Sequence, residues 1–190
     1  KGAGRGATAG TVAGGIGSTS IDLGGDAIVG ALAVVNSIGS VLLPDGESFY
    51  AWPYEQANEF GNRPSPAKCD LGDPFPEFSR LHEADRIQAG TNTTLAAVAT
   101  TVALTGAELK RIAMMAHDGM ARAIRPAHTP FDGDIVFALS NGDVTLPEKG
   151  GYDRASSVAK IGSAAADCLA RAIARGVYES GDPSNRKTTL

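Results

Sequence analysis

The feature that most limits how this chain can fold is a succession between Thr94 and Leu139: a β-prone apolar run, a capped amphipathic helix and a second β-prone run. Residues 94–102 are drawn from Thr, Ala, Val and Leu and read as a buried strand. Thr105 and Glu108 have capping-box spacing, and Leu109, Ile112, Ala113, Ala116 and Met120 recur at helical intervals behind them. The spacing predicts a helix over 107–124, closed ahead of Pro126 because a residue before proline is steered away from helical angles. Residues 134–139 form the next strand, with Asn141-Gly142 as its expected turn. Strand, crossover helix, strand makes the two strands parallel, so both start at the same sheet edge. Two segments far apart in sequence, Asn92-Thr93-Thr94 and Phe131-Asp132-Gly133-Asp134, are thereby expected to meet.

Upstream of this unit, 16–23 and 27–35 read as two strands joined at Gly24-Gly25-Asp26, a hairpin signal. Residues 40–43 either continue the second run or start a short strand. Over 44–90 the character changes: six of the ten prolines fall there, with aromatics and charges but no sustained period. This predicts a long surface connection, with helical turns near 54–60 and 78–86. A last helix, about 153–178, places Val158, Ile161, Ala165, Leu169 and Ala172 on one stripe. The fold class expected is α/β in a single domain, since 190 residues at 43% hydrophobic content bury one respectable core.

Composition excludes several functions. A net charge of -4 with scattered Lys and Arg gives no nucleic-acid footprint. The longest apolar run, 27–35, is well short of the roughly 20 residues of a membrane span. Cys69 and Cys168 are too few for a disulfide framework, and Cys168 sits among alanines as a buried thiol would. The chain opens on Lys1 in a glycine-rich stretch, so an upstream part of the gene product is expected to precede it.

The chemistry follows from Thr93 at the predicted strand start. Threonine is a weak nucleophile without a base beside it. If the Asn92–Thr93 bond is cut, Thr93 gains an α-amine whose pKa, about 7.7 to 8, makes it a base near neutral pH. Cleavage would use the same hydroxyl, by attack on the Asn92 carbonyl. Asp132 and Asp134, two apart on an extended segment, point to one face while Gly133 points to the other. The expectation is a hydroxyl facing two carboxylates, one orienting the Thr93 hydroxyl and amine while the other holds a proton or the first one's partner. Asn92-Thr93-Thr94 is also a formal glycosylation sequon, which the apolar run from Leu95 opposes.

Several fixed-spacing blocks agree together: Asn92 to Leu95, Leu109 to Ala113, Met115 to Ile124 and His128 to Asp134, with Gly2 to Gly10, Gly14 to Gly17 and Val34 to Gly39. In these the sequence resembles the DmpA-type aminopeptidase and nylon-oligomer hydrolase family of self-processing N-terminal-nucleophile hydrolases. The resemblance implies an αββα layered sandwich, shared in type with the ornithine acetyltransferases. It implies autocleavage into fragments 1–92, carrying the Pro-rich loop 44–91, and 93–190, which stay together. It also implies hydrolysis without metal or organic cofactor and a homo-oligomer of processed units. The location expected is cytoplasmic. By motif, Thr93 would be the nucleophile, Asn36 an oxyanion-stabilising amide, and Asp132 and Asp134 the acidic partners. Threonine with Asp-Gly-Asp looks closest to the nylon-oligomer branch, which tilts the substrate towards ω-amino-acid oligomers, beside small peptides and amino-acid amides. Gly10 is followed by Thr11 where that branch has a lysine, and the family's oxyanion tyrosine belongs upstream of this chain. Acyl transfer is the alternative within catalysis, and a non-catalytic structural or binding member is the alternative outside it.

Other signals are weaker. Gly2, Gly4 and Gly6 lack the preceding strand and Lys-Ser/Thr ending of a phosphate loop and read instead as backbone that approaches the site closely. His82-Glu83-Ala84-Asp85 contains a single histidine and reads as polar loop rather than metal site. Of His117 and His128, His128 is placed to approach the Asp-Gly-Asp segment. Met114, Met115 and Met120 read as helix packing, and Trp52, Tyr50 and Tyr54 as loop anchors or cleft lining.

Overall fold

Alternation in the first half of the chain builds the predicted hairpin. In the computed structural model, which describes residues 3–62, 66, 71, 73–82, 92–146 and 150–181, β3 (Gly15–Asp22) pairs antiparallel with β4 (Ile28–Val35). Before them, β1 (Thr8–Ala9) and β2 (Val12–Ala13) form a small separate ribbon. β4 then pairs antiparallel with β5 (Leu95–Val102), and β5 pairs parallel with β6 (Ile135–Val144), giving the order β3-β4-β5-β6. The parallel pair is bridged by α1 (Gly106–Ala123), which carries the Thr105/Glu108 capping box in full and stops at Ile124. α2 (Gly150–Ser180) completes the helical layer. No helix among the described residues is long and apolar enough to cross a membrane.

Both helices lie on one face of the sheet. Ile112, Ala116 and Met120 of α1 and Ile161, Ala165, Leu169, Ala172 and Ile173 of α2 are buried against Val29, Ala31, Ala33, Ala96 and Val98. Each fully buried Leu or Ile contributes about 1.5 to 3 kcal/mol. Sheet and helix sit close at Gly17, where a Cβ would stand 2.1 Å from the Ala172 carbonyl oxygen, and the two helices sit close at Gly119, where one would stand 2.2 Å from that of Ala166. The opposite face is apolar and open: Ile16, Val34, Leu95 and Ile135 form one row across all four strands, and Leu32, Ala97 and Phe137 lie in the next. Ile16, Leu32, Leu95, Ile135 and Phe137 are all exposed there. The described residues thus supply one helical layer and one sheet of the layered architecture.

Three expectations change. Asn141-Gly142 is not a turn; it lies inside β6, where Gly142 takes φ +77° and the register against β5 shifts. A left-handed glycine serves a bulge as well as a turn, and Ser140 Oγ, bonded to the Val102 carbonyl and to Gly142 N, holds the irregularity. Residues 40–43 form no strand, only bridges from Ser40 to Arg125 and Leu42 to Phe49. The Pro-rich stretch is not wholly superficial: Phe49, Ala51 and Phe60 are buried, with the Phe49 and Phe60 rings edge to face at 5.5 Å. Glu59 pairs with both ends of the Arg171 guanidinium, fastening this segment to α2. A short 3₁₀ turn at Trp52–Tyr54 stands near one expected helical turn. Cys69, Glu83 to Asp85, the end of the other turn and the tail after Gly181 lie outside the described residues.

Candidate active site

Parallel pairing continues past the ends of β5 and β6, with a bridge between Asn92 and Asp132. That bridge brings the predicted site residues to one edge. Gly133 N donates to the Asn92 carbonyl at 2.9 Å and Ile135 N to the Thr94 carbonyl at 3.2 Å, so the ladder runs through the Asn92–Thr93 bond. The Thr93 hydroxyl donates to the same Asn92 carbonyl oxygen at 2.6 Å. On the other side, Thr93 N donates to the Asn36 carbonyl oxygen at 2.8 Å, just beyond the end of β4.

The two adjacent threonines differ sharply. Thr94 is fully buried and its hydroxyl has no hydrogen-bond partner among the described residues, whereas Thr93 is only half-buried. Only Thr93 is placed for chemistry on an incoming molecule.

The carboxylates grip the backbone around the bond. Asp134 Oδ1 accepts from Thr94 N at 2.8 Å, and Oδ2 meets His128 Nδ1 at 2.8 Å and accepts from His128 N at 3.3 Å. Asp132 Oδ1 accepts from Ile38 N at 3.3 Å, and Oδ2 from the Thr129 amide and hydroxyl at 3.1 and 2.7 Å. Asp132 thereby ties the segment after β4 to the segment before β6. The expected contact between the Thr93 hydroxyl and a carboxylate is absent among the described residues. In a parallel ladder side chains alternate in step, so Thr93 shares its face with Gly133, and Asp132 and Asp134 share the other with Thr94. A Cβ at Gly133 would stand 2.8 Å from Thr93 Oγ1.

Asn36 lies beside the bond through its main chain, and its side-chain oxygen accepts from Thr8 N at 3.1 Å. The glycine-rich segment therefore does approach the site: Gly10 N also donates to the Ser37 carbonyl. Thr11 is exposed, with its amide on the Phe78 carbonyl.

Two contacts escaped sequence reasoning. The Arg80 guanidinium donates to Asn92 Oδ1 at 2.6 Å and to the Ser37 carbonyl at 3.0 Å, which fixes the residue preceding Thr93. No spacing or periodicity marks Arg80 within the Pro-rich stretch. Thr129 was equally silent, although its place three residues before Asp132 is that of a local hydroxyl-to-carboxylate turn. His128 does approach the site, taking a left-handed φ of +57° that lets ring and main chain share one Asp134 oxygen. Its other ring nitrogen is 3.4 Å from His117 Nδ1. Burial, then the neighbouring His128, lowers the His117 pKa, with Asp134 and Asp118 pulling the other way. Among the described residues no His, Cys, Asp and Glu cluster forms a metal site.

The arrangement of sheet and helices is a fold found among the N-terminal-nucleophile hydrolases. The L-aminopeptidase D-Ala-esterase/amidase of Ochrobactrum anthropi, described as a variant of that fold, superposes with a TM-score of 0.56 over 90% of this chain and 42% of that one, at 20% identity. A β-aminopeptidase of Burkholderia sp. gives a TM-score of 0.53 over 90% and 44%, at 22% identity. The chain belongs to peptidase family S58, whose profile matches residues 1–189. It is 42% identical over 189 residues to an uncharacterized aminopeptidase of Mycobacterium tuberculosis, covering 94% of this chain and 52% of the relative. It is also 42% identical over 67 residues, 35% of this chain and 19% of the relative, to a 6-aminohexanoate-oligomer endohydrolase of Kocuria sp.. The chain spans about half the length of the mycobacterial relative.

Proposed function

We propose that this chain carries the reaction centre of a self-processing amide hydrolase, cut between Asn92 and Thr93 into segments 1–92 and 93–190 that remain associated. The observation that carries the reading is the Thr93 hydroxyl lying 2.6 Å from the carbonyl oxygen of its own preceding residue. In the cleavage step Thr93 Oγ bonds to the Asn92 carbonyl carbon and loses its proton. The carbon–nitrogen bond then breaks and the Thr93 nitrogen takes up a proton, leaving an ester. Water releases the ester as the Asn92 carboxylate and regenerates the hydroxyl.

The new amine is the nitrogen that now donates to the Asn36 carbonyl at 2.8 Å. Held there, it keeps its lone pair for the Thr93 hydroxyl proton, at a pKa suited to neutral pH. Thr93 then attacks substrate amides, with the Asn36 side-chain amide on the developing oxyanion and Asp132 and Asp134 as acidic partners. Loss of the peptide link frees Thr93 to turn towards those acids. The substrates are small peptides, amino-acid amides or ω-amino-acid oligomers with a free amino end, whose cation suits the acid pair. The names of the aminopeptidase and oligomer-hydrolase relatives support this class. A cytoplasmic homo-oligomer of processed units, acting without metal or organic cofactor, completes the reading; cell fractionation and sedimentation test its location and assembly.

The test is Thr93→Ala. It should abolish both the cut and amide turnover, while Thr93→Ser retains some of each. Turnover surviving in the alanine variant ends the assignment.

A further inference from the structure

We infer that Gly133 serves the self-cleavage directly, its backbone N–H being the oxyanion donor to the scissile carbonyl and its missing side chain being the space in which the Thr93 hydroxyl sits. The inference rests on the proposed cut at 92/93 and adds to it a role for the glycine between the two acids.

During attack the Asn92 carbonyl oxygen becomes the oxyanion. A useful donor stands about 2.7 to 3.1 Å from the place that the oxyanion takes up. Gly133 N already donates to the carbonyl oxygen at 2.9 Å in the uncut chain, so it is aimed at the atom on which the charge develops. The donor is fixed from both sides, because Asp132 is held by Ile38 N and Thr129, and Asp134 by Thr94 N and His128. It therefore needs no reorganisation when charge develops. The acids thus have a task in the uncut chain that requires no contact with the hydroxyl: they set the register that puts Gly133 N–H on the reacting carbonyl.

The second half is steric. Any side chain at 133 begins with a carbon 2.8 Å from Thr93 Oγ1 and 3.8 Å from Thr93 Cβ. Threonine, branched at Cβ, has few rotamers with which to avoid it, while serine has more freedom. The two halves therefore respond differently to substitution.

Cleavage is followed by denaturing electrophoresis. Gly133→Pro, which removes the N–H, should slow the cut about 100- to 1000-fold, the usual loss for one oxyanion donor. Gly133→Ala keeps the N–H and should also slow the cut, through the clash. Adding Thr93→Ser should restore cleavage in the alanine variant towards the level of Thr93→Ser alone, and should not restore it in the proline variant. Independently of rate, the uncut Thr93→Ala protein should show an NMR scalar coupling across the hydrogen bond from Gly133 N to the Asn92 carbonyl carbon. Absence of that coupling, or wild-type cleavage in the proline variant, overturns the donor role. Wild-type cleavage in Gly133→Ala overturns the steric one. In each case a wild-type protein that still cuts at 92/93 leaves the hydrolase reading standing, whereas a wild-type protein that never cuts removes both.

Discussion

The head of β5 and its middle are neighbours in sequence but are held by different physics. From Asn92 to Thr94 the backbone groups are tied by directed hydrogen bonds from separate segments: Asn36, Gly133, Asp134 and Ile135 on the main chain, with Arg80 on the Asn92 side chain. From Ala96 to Val102 the inward residues are methyl-bearing and buried beneath the helices. Directed contacts fix where atoms point and contribute little net stability each, about 0.5 to 1.5 kcal/mol. Apolar burial contributes more and specifies orientation less. On the proposed function one strand carries reactivity at its head and stability along its body, and substitutions in the two parts should separate those properties.

Thr93→Ala makes the largest difference in reactivity, with the cut and turnover lost and the melting temperature of the uncut chain little changed. Asp134→Asn comes next. It weakens the grip on Thr94 N and His128 that sets the register of the Gly133 donor, so cleavage should fall up to about 10²- to 10³-fold, the range for a lost oxyanion donor. A fall in thermal stability alone, with wild-type cleavage per folded molecule, breaks the comparison. Ile173→Ala is the reverse experiment. This side chain is fully buried in α2, and denaturant unfolding should show a loss of about 2 to 5 kcal/mol. Folded Ile173→Ala protein should still cut at the wild-type rate.

The smallest effect belongs to the far end of α1. The Arg154 hydrogen bond, followed by that from the Thr105 backbone, lowers the Glu108 pKa from its usual 4.5 to about 2. Since the folded-state pKa is depressed, the stabilisation is complete above about pH 4.5 and disappears as pH falls through about 2. Arg154→Ala should flatten the fall in melting temperature across that window and leave the cleavage rate at neutral pH unchanged.

These two parts of β5 were not equally legible in the sequence. The body, the hairpin and α1 were, because period-2 and period-3.6 patterns and the Thr105/Glu108 box are local signals. The meeting of Asn92 with Asp132 was also legible, through the handedness of the crossover. What the residues did not disclose was the step of the ladder. Whether Thr93 faces Asp132 and Asp134 or Gly133 depends on a one-residue register between strands, and no local pattern encodes that. Arg80 was hidden for a related reason, since a cation in an aperiodic stretch has no predicted direction. Asn141-Gly142 misled because a positive φ is shared by turns and bulges. The open row of Ile16, Val34, Leu95 and Ile135 is the structural counterpart of strands that read as continuous apolar runs. Such strands suit burial on both faces, as in the middle of an αββα sandwich.

The central claim is that the Asn92–Thr93 bond is spent to make Thr93 a chain end. Intact mass together with N-terminal sequencing of the purified protein tests it most directly. The account predicts two polypeptides, one of them beginning Thr93-Thr94-Leu95, and a single joined chain for Thr93→Ala. A wild-type chain that stays continuous through position 92 while hydrolysing amides at full rate would contradict it.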